Sequence, residues 1–384
     1  MTVHRIGAST AGWLAGLTAL LILSACAAPA LAPGAPSTPT RAPTVAASAP
    51  ASSPPVARPG LEVVKTGYLG ANMSNAAIFI AAEKGYFEEQ GISVELIPFD
   101  AGTRMVPALA TNELQVGAGS ASVGLFNSVL RNIHSKVVAD KGSGPPGAGW
   151  QAMVVRKDLY DSGALTKLED LRGRNFGVFT LGATQEAILD YHLRLVGLTL
   201  ADVNVLEVPG GDQLAAFANG QLDAAWAIEP LVTIMVDRGL VVRLFGSEEH
   251  HPNDQTSVVM YSEQFAQQRD AATRWMVAYL KAARDYNDAF VANRNREEIV
   301  RILEKVGVVT DRRLLEKFAY TGINPNGYVN RESLQEMHDY FLRRGTLPQP
   351  VPLDELIDDR FVTAAIAQLG WYDSPLYRDP VWRR

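Results

Sequence analysis

Two α/β lobes followed by a helical C-terminal region are what this sequence predicts, on three observations. Short apolar strands alternate with helical segments over residues 61–156. The alternation resumes over 175–246, and beyond a strand-like run at 257–261 the chain is largely helical.

In the first cycle, 63–69 reads as a strand and 75–90 as a helix, with Ala76, Ile78, Phe79, Ala82 and Phe87 as its apolar positions and Gly91 as its stop. Residues 92–99 alternate as a strand. A short helix at 103–110, a strand at 114–118, a helix at 121–132 and a strand at 136–139 follow. The run Gly142-Ser143-Gly144-Pro145-Pro146-Gly147 reads as a loop, with a strand at 151–156 leaving it. The second cycle has strands at 175–180, 203–208, 224–227 and 240–245, and helices at 183–196, 213–219 and 229–238. Helices at 265–290, 296–306, 312–320, 331–344 and 361–369 complete the chain. Such alternation implies mainly parallel sheets, whose ligands bind beyond the carboxyl ends of the strands. That rule points to the loops 67–75, 119–122, 180–184 and 226–230.

The first 60 residues are of a different kind. His4 and Arg5 precede an apolar stretch from Ala11 to Leu23, too short for a stable membrane span and suited to the core of a signal peptide. Leu23-Ser24-Ala25-Cys26 then resembles a bacterial lipobox, which predicts a signal peptide over 1–25 and lipidation at Cys26; a chance cysteine near an ordinary cleavage site at Ala28 or Ala30 is the alternative. Residues 26–60 are rich in Pro, Ala, Ser and Thr, with scarcely any charge, and predict an extended tether.

Composition narrows the function. Cys26 is the only cysteine, so the globular part holds no internal disulfide, thiol nucleophile or cysteine-ligated zinc. No basic patch suggests nucleic acid, and the formal net charge of −6 is mild for 384 residues. The nucleophile elbow G-x-S-x-G is absent, and His250-His251 reads as a surface pair in a polar turn, so neither a catalytic residue, a metal site nor a cofactor is expected.

The candidate contacts lie in the four loops. Tyr68, Asn72 and Ser74 follow the first strand, where Ser74 is equally a natural helix cap. Ser120 and Ser122 sit in a tight turn offering hydroxyls and backbone N–H groups. Gly182 and Thr184 open a helix whose N-terminus suits an anion or a carbonyl oxygen. Trp226 can stack on a flat heterocycle and Glu229 can accept hydrogen bonds; the alternatives are a buried Trp and a Glu opening a helix. Lys141 and Arg104 are the nearest candidates for an anion clamp, Lys141 doubling as a solvated loop charge.

Four motifs add a family resemblance. The segment from Ala77 to Ile92, with Glu83-Lys84-Gly85-Tyr86-Phe87 at its centre, resembles the A-x-x-K-G-Y/F-F-x-x-x-G-I/L signature of type II periplasmic binding proteins. Leu168-Glu169-Asp170-Leu171-Arg172-Gly173-Arg174, Asn219-Gly220-Gln221-Leu222-Asp223-Ala224-Ala225 and Trp226-Ala227-Ile228-Glu229-Pro230 follow with similar spacing. The resemblance, to the superfamily serving sulfonates, nitrate and the thiamine pyrimidine precursor, covers about 61–290. It implies lobe 1 over 61–153 and 255–384 and lobe 2 over 154–254, closing on one ligand and delivering it to an ABC permease at the extracytoplasmic face. With the lipobox and tether, the chain looks similar to riboflavin-binding lipoproteins of this superfamily, which implies riboflavin as ligand ahead of a thiamine pyrimidine precursor or a sulfonate. Fungal pyrimidine synthases share the fold but use a cysteine-rich segment that this chain lacks. A sensor role stays open.

Overall fold

The computed structural model describes residues 60–99 and 104–383, so the signal peptide, Cys26 and the tether lie outside the described residues. Two five-stranded sheets organise the fold. The first takes β1 (Glu62–Leu69), β2 (Ile92–Phe99), β3 (Val116–Ser120), β4 (Lys136–Gly144) and β10 (Asp254–Tyr261) in the order β2-β1-β3-β10-β4. The second takes β5 (Gln151–Arg156), β6 (Asn175–Val178), β7 (Asn204–Glu207), β8 (Ala224–Ile228) and β9 (Val241–Gly246) in the order β7-β6-β8-β5-β9.

Each sheet is parallel on one side and interrupted by one reversed strand. β1 pairs in parallel with β2 and β3, whereas β10 runs antiparallel to β3 and β4. β6 pairs in parallel with β7 and β8, whereas β5 runs antiparallel to β8 and β9. The expectation of mainly parallel sheets is therefore corrected by the two strands that follow a change of lobe. A chain entering a sheet from the neighbouring lobe arrives at the carboxyl ends of its parallel strands and must run the other way.

β5 pairs along its length in the second sheet, so the first crossover falls between Gly144 and Gln151, ahead of the boundary expected at 153/154. The return crossover follows β9, through the turn Ser247–His250, and ends where β10 begins. β4 also continues to Gly144 where a glycine-rich loop was expected, because Gly144, Ser143 and Gly142 pair with β10.

Six helices matter to the site: α1 (Ala76–Glu83), α2 (Val123–Leu130), α3 (Thr184–Leu195), α4 (Leu231–Asp237), α5 (Arg269–Phe290) and α6 (Arg331–Arg343). α5 buries Ala272, Trp275, Met276, Tyr279, Ala283 and Tyr286 at helical spacing, and its alanines allow close approach to the almost wholly buried α1. Further apolar clusters cover the other faces of the two sheets. The helix expected at 312–320 is only a 3-10 turn, Arg312–Leu314. Beyond it the chain is irregular, and Gly322 bridges to Ser143 of β4. No helix among the described residues is long and apolar enough to cross a membrane.

Candidate functional site

A cavity of about 50 Å³ lies where the two lobes meet, and its walls come from both. The first lobe supplies Leu69, Asn72 and Ser74 from the carboxyl end of β1, Ser120 from β3, Lys141 from β4, and Thr256 and Ser257 from β10. The second supplies Gln151 from β5, Phe179 and Thr180 after β6, Ala183, Thr184 and Gln185 at the start of α3, and Ile228 at the end of β8; Trp150 comes from the crossover. The reversed strands contribute three of these residues, Gln151, Thr256 and Ser257. Entering at the carboxyl ends of their neighbours, β5 places its first residue and β10 its third and fourth in the cleft.

The loop after β1 is held by its own side chains. Asn72 Oδ1 accepts from the Ser74 backbone N–H at 3.1 Å and from Ser74 Oγ at 2.7 Å, which caps the turn before α1. Asn75 Nδ2 donates to the carbonyls of Leu69 and Gly70. The oxygens left over face Lys141, whose Nζ donates to Ser74 Oγ and to Asn75 Oδ1, both at 2.9 Å. Lys141 is 1 % exposed, and among the described residues no carboxylate lies within ion-pair distance. Burial pulls its ammonium down to about 7, against the opposing field of Asp140. Asp140 points away from the cavity and accepts from Gly142, Gln255 and Asn324; burial pushes it up to about 6.

Across the cavity the amides of Gln185 and Gln151 form a chain. Gln185 Oε1 accepts from the Phe179 N–H at 2.6 Å, and Gln185 Nε2 donates to Gln151 Oε1 at 3.2 Å. That leaves the buried Gln151 Nε2 without an acceptor among the described residues. The two lobes therefore present donors in excess, an ammonium with one N–H to spare and an amide. Such a set calls for an acceptor-rich or anionic ligand.

The lobes also bond to each other directly. Thr184 Oγ1 donates to the carbonyls of Ala121 at 3.1 Å and Thr256 at 2.9 Å. The Val123 N–H donates to the Gly182 carbonyl at 3.0 Å, and Ser122 bridges to Ala183.

Of the residues expected from sequence, Asn72, Ser74, Ser120 and Thr184 come together on the cavity wall. Ser122 and Gly182 stand beside it in the interlobe contact. Tyr68 does not reach it, packing edge-on against Phe79 at 5.1 Å on the first lobe's core. The expected stacking of Trp226 on a ligand is corrected. Its indole is fully buried in the second lobe, edge-on to His192 and Phe245, because it sits two residues short of the strand's end. Glu229 is also off the wall: its carboxylate accepts from the Thr233 N–H at 3.0 Å and Thr233 Oγ1 at 2.9 Å, inside the first turn of α4. Arg104 does not line the cavity. None of Trp150, Gln151, Gln185, Thr256 and Ser257 is singled out from sequence, although a Gln opening the apolar run Ala152-Met153-Val154-Val155 is a legible signal.

Comparisons with known proteins agree with this architecture. A protein of Brucella abortus (strain 2308) named as a binding protein is 28% identical over 313 residues, covering 78% of this chain and 91% of its own. The crystal structure of the periplasmic aliphatic sulphonate binding protein from Escherichia coli superposes with a TM-score of 0.61 at 20% identity, over 79% of this chain and 99% of that one. The periplasmic nitrate-binding protein of Synechocystis PCC 6803 superposes with a TM-score of 0.67 at 15% identity, over 81% and 89%. The fold is that of two-lobed periplasmic binding proteins. The NMT1-like family model matches residues 57–304, and the chain belongs to that family.

Proposed function

We propose that this chain is the extracytoplasmic substrate-binding component of an ABC importer, capturing a small anionic molecule between its lobes for a membrane permease. The observation that carries the reading is Lys141, a buried ammonium on the cleft wall with only neutral partners. An anion bridging Lys141 of one lobe and the free Gln151 amide of the other touches both lobes only when they are closed, and that difference drives closure. The names of the relatives, a binding protein and proteins for sulphonate and nitrate, support the same class.

Riboflavin, implied by the resemblance of the whole chain to riboflavin-binding lipoproteins, has less support at the cleft. Pockets for drug-sized ligands run to about 300–1,000 Å³, against about 50 Å³ here. The Trp expected to stack on a flavin is committed to the core. Lipidation at Cys26 and attachment to the cell membrane, palmitate among the acyl groups, rest on the lipobox pattern and the tether composition.

Calorimetric titration of the purified chain with nitrate, a short alkanesulfonate, a short carboxylate and riboflavin tests the reading. Tight binding of one anion without turnover is expected. Binding of riboflavin alone removes the anion assignment but keeps the transport role, whereas a chemically altered ligand recovered from the mixture removes the transport role.

A further inference from the structure

We propose that Glu186 is a positioning residue that clasps the second lobe to helix α6 of the first and biases the chain toward closure before a ligand adds its own contacts. Glu186 lies in the first turn of α3, is 6 % exposed, and uses its two oxygens in different lobes. Oε2 accepts from the Gly182 N–H at 2.6 Å, within its own lobe. Oε1 accepts from the Tyr340 hydroxyl at 2.8 Å and from Arg344 Nη2 at 3.2 Å, both on the segment that packs with the first lobe. Tyr340 is 3 % exposed, so its hydroxyl finds its partner in the interface.

A helix-capping role alone accounts for Oε2, since a carboxylate in the first turn stabilises a helix N-terminus. It leaves the donors on Oε1 unexplained. Those bonds exist only while the lobes are together, so they add to closure whatever the ligand is. The clasp is also joined to the cleft: Gly182, tied to Oε2, passes its carbonyl to the Val123 N–H across the interface, and the next two residues, Ala183 and Thr184, line the cavity. One carboxylate thus fixes the loop that meets the ligand and the helix that anchors it.

Amide hydrogen exchange on the ligand-free full-length chain tests this without any ligand, and so independently of the anion reading. The Val123 N–H crosses the interface, whereas the Gly182 N–H stays inside the second lobe. Tyr340→Phe removes one bond to the charged carboxylate and leaves the capping bond in place. It is expected to speed exchange at Val123 about tenfold or more, with Gly182 and the strand amides of both sheets unchanged. Arg344→Met, a half-exposed position, is expected to act in the same direction. Equal protection of Val123 in both variants overturns the proposal, as does a Val123 amide already unprotected in the unaltered chain. Faster exchange at Gly182 as well as Val123 reduces Glu186 to a helix cap and also overturns it.

Discussion

Lys141 Nζ donates to Asn75 Oδ1 at 2.9 Å, joining the edge strand of the first sheet to the start of α1 beneath the cleft. The contact is between a buried cation and a neutral amide, and in the proposed function the anionic ligand supplies the counter-charge.

Lys141→Met is therefore expected to weaken binding of the preferred anion about a hundredfold or more, the loss of a charge-assisted bond together with the long-range attraction. Titration calorimetry measures it. An unchanged affinity would place the anion elsewhere.

The same residue sets a pH dependence. With its ammonium pulled down to about 7, the empty site is charged below that pH and increasingly neutral above it. Anion affinity is expected to fall as pH rises above 7, and binding there is expected to take up a proton, seen as a dependence of the measured heat on buffer. Between about 7 and 10.5 the unfolded chain holds a proton on Lys141 that the folded chain lacks. Its contribution to stability therefore rises with pH across that window, by about 1.4 kcal/mol per unit, and Lys141→Met removes that slope.

Asp254 supplies the opposite slope. It is fully buried at the start of β10, and neither oxygen finds a donor in hydrogen-bonding geometry among the described residues. Burial pushes it up to about 6, against the pull of His251. Between about 3.8 and 6 the folded state holds a proton that the unfolded state lacks, so stability falls as pH rises through that window. Asp254→Asn is expected to remove its share of the fall, roughly 3 kcal/mol, in urea unfolding measured at pH 4 and pH 7.

Trp226→Phe is expected to leave anion affinity within about twofold, because the indole packs in the core and its Nε1 makes no hydrogen bond among the described residues. Trp226→Ala is expected to cost about 3–5 kcal/mol of stability. A ligand affinity lost in the folded Phe variant would return Trp226 to the site.

Much of the fold and part of the site were legible in the sequence, for separable reasons. The strand–helix alternation follows local periodicity, so β1, β2, β5 and β6 fall close to their expected places. Strand direction does not, since a reversed strand carries the same alternation as a parallel one. That is why the sequence does not single out Gln151, which opens one reversed strand, or Thr256 and Ser257, which lie near the start of the other. Asn72, Ser74, Ser120 and Thr184 reach the cavity wall as expected because each lies at or beyond the carboxyl end of a parallel strand. Trp226 failed on depth, since it and Ile228 share one face of β8 but only the second reaches the strand's end. From sequence Lys141 reads equally as a clamp or a solvated charge, and only the pairing of β4 with β10 decides that it is buried.

Cys26→Ser is expected to abolish fatty-acid labelling of the expressed chain and to release it from membranes, read by labelling and fractionation. Unaltered protein found unlabelled, with its mature N-terminus beyond residue 26, would remove the anchor.

The placement of β10 has a consequence for synthesis. Among the described residues β4 lies at the rim of the first sheet, with β10 as its only strand neighbour. A chain emerging from its N-terminus must therefore carry β4 unpaired while all five strands of the second lobe are made. The second lobe is continuous and can close its sheet as soon as β9 is out, whereas the first waits for residues 254–261. The lobe begun first is thus completed last, and a chain arrested just after β9 would hold one finished lobe beside a three-stranded fragment and a stray strand.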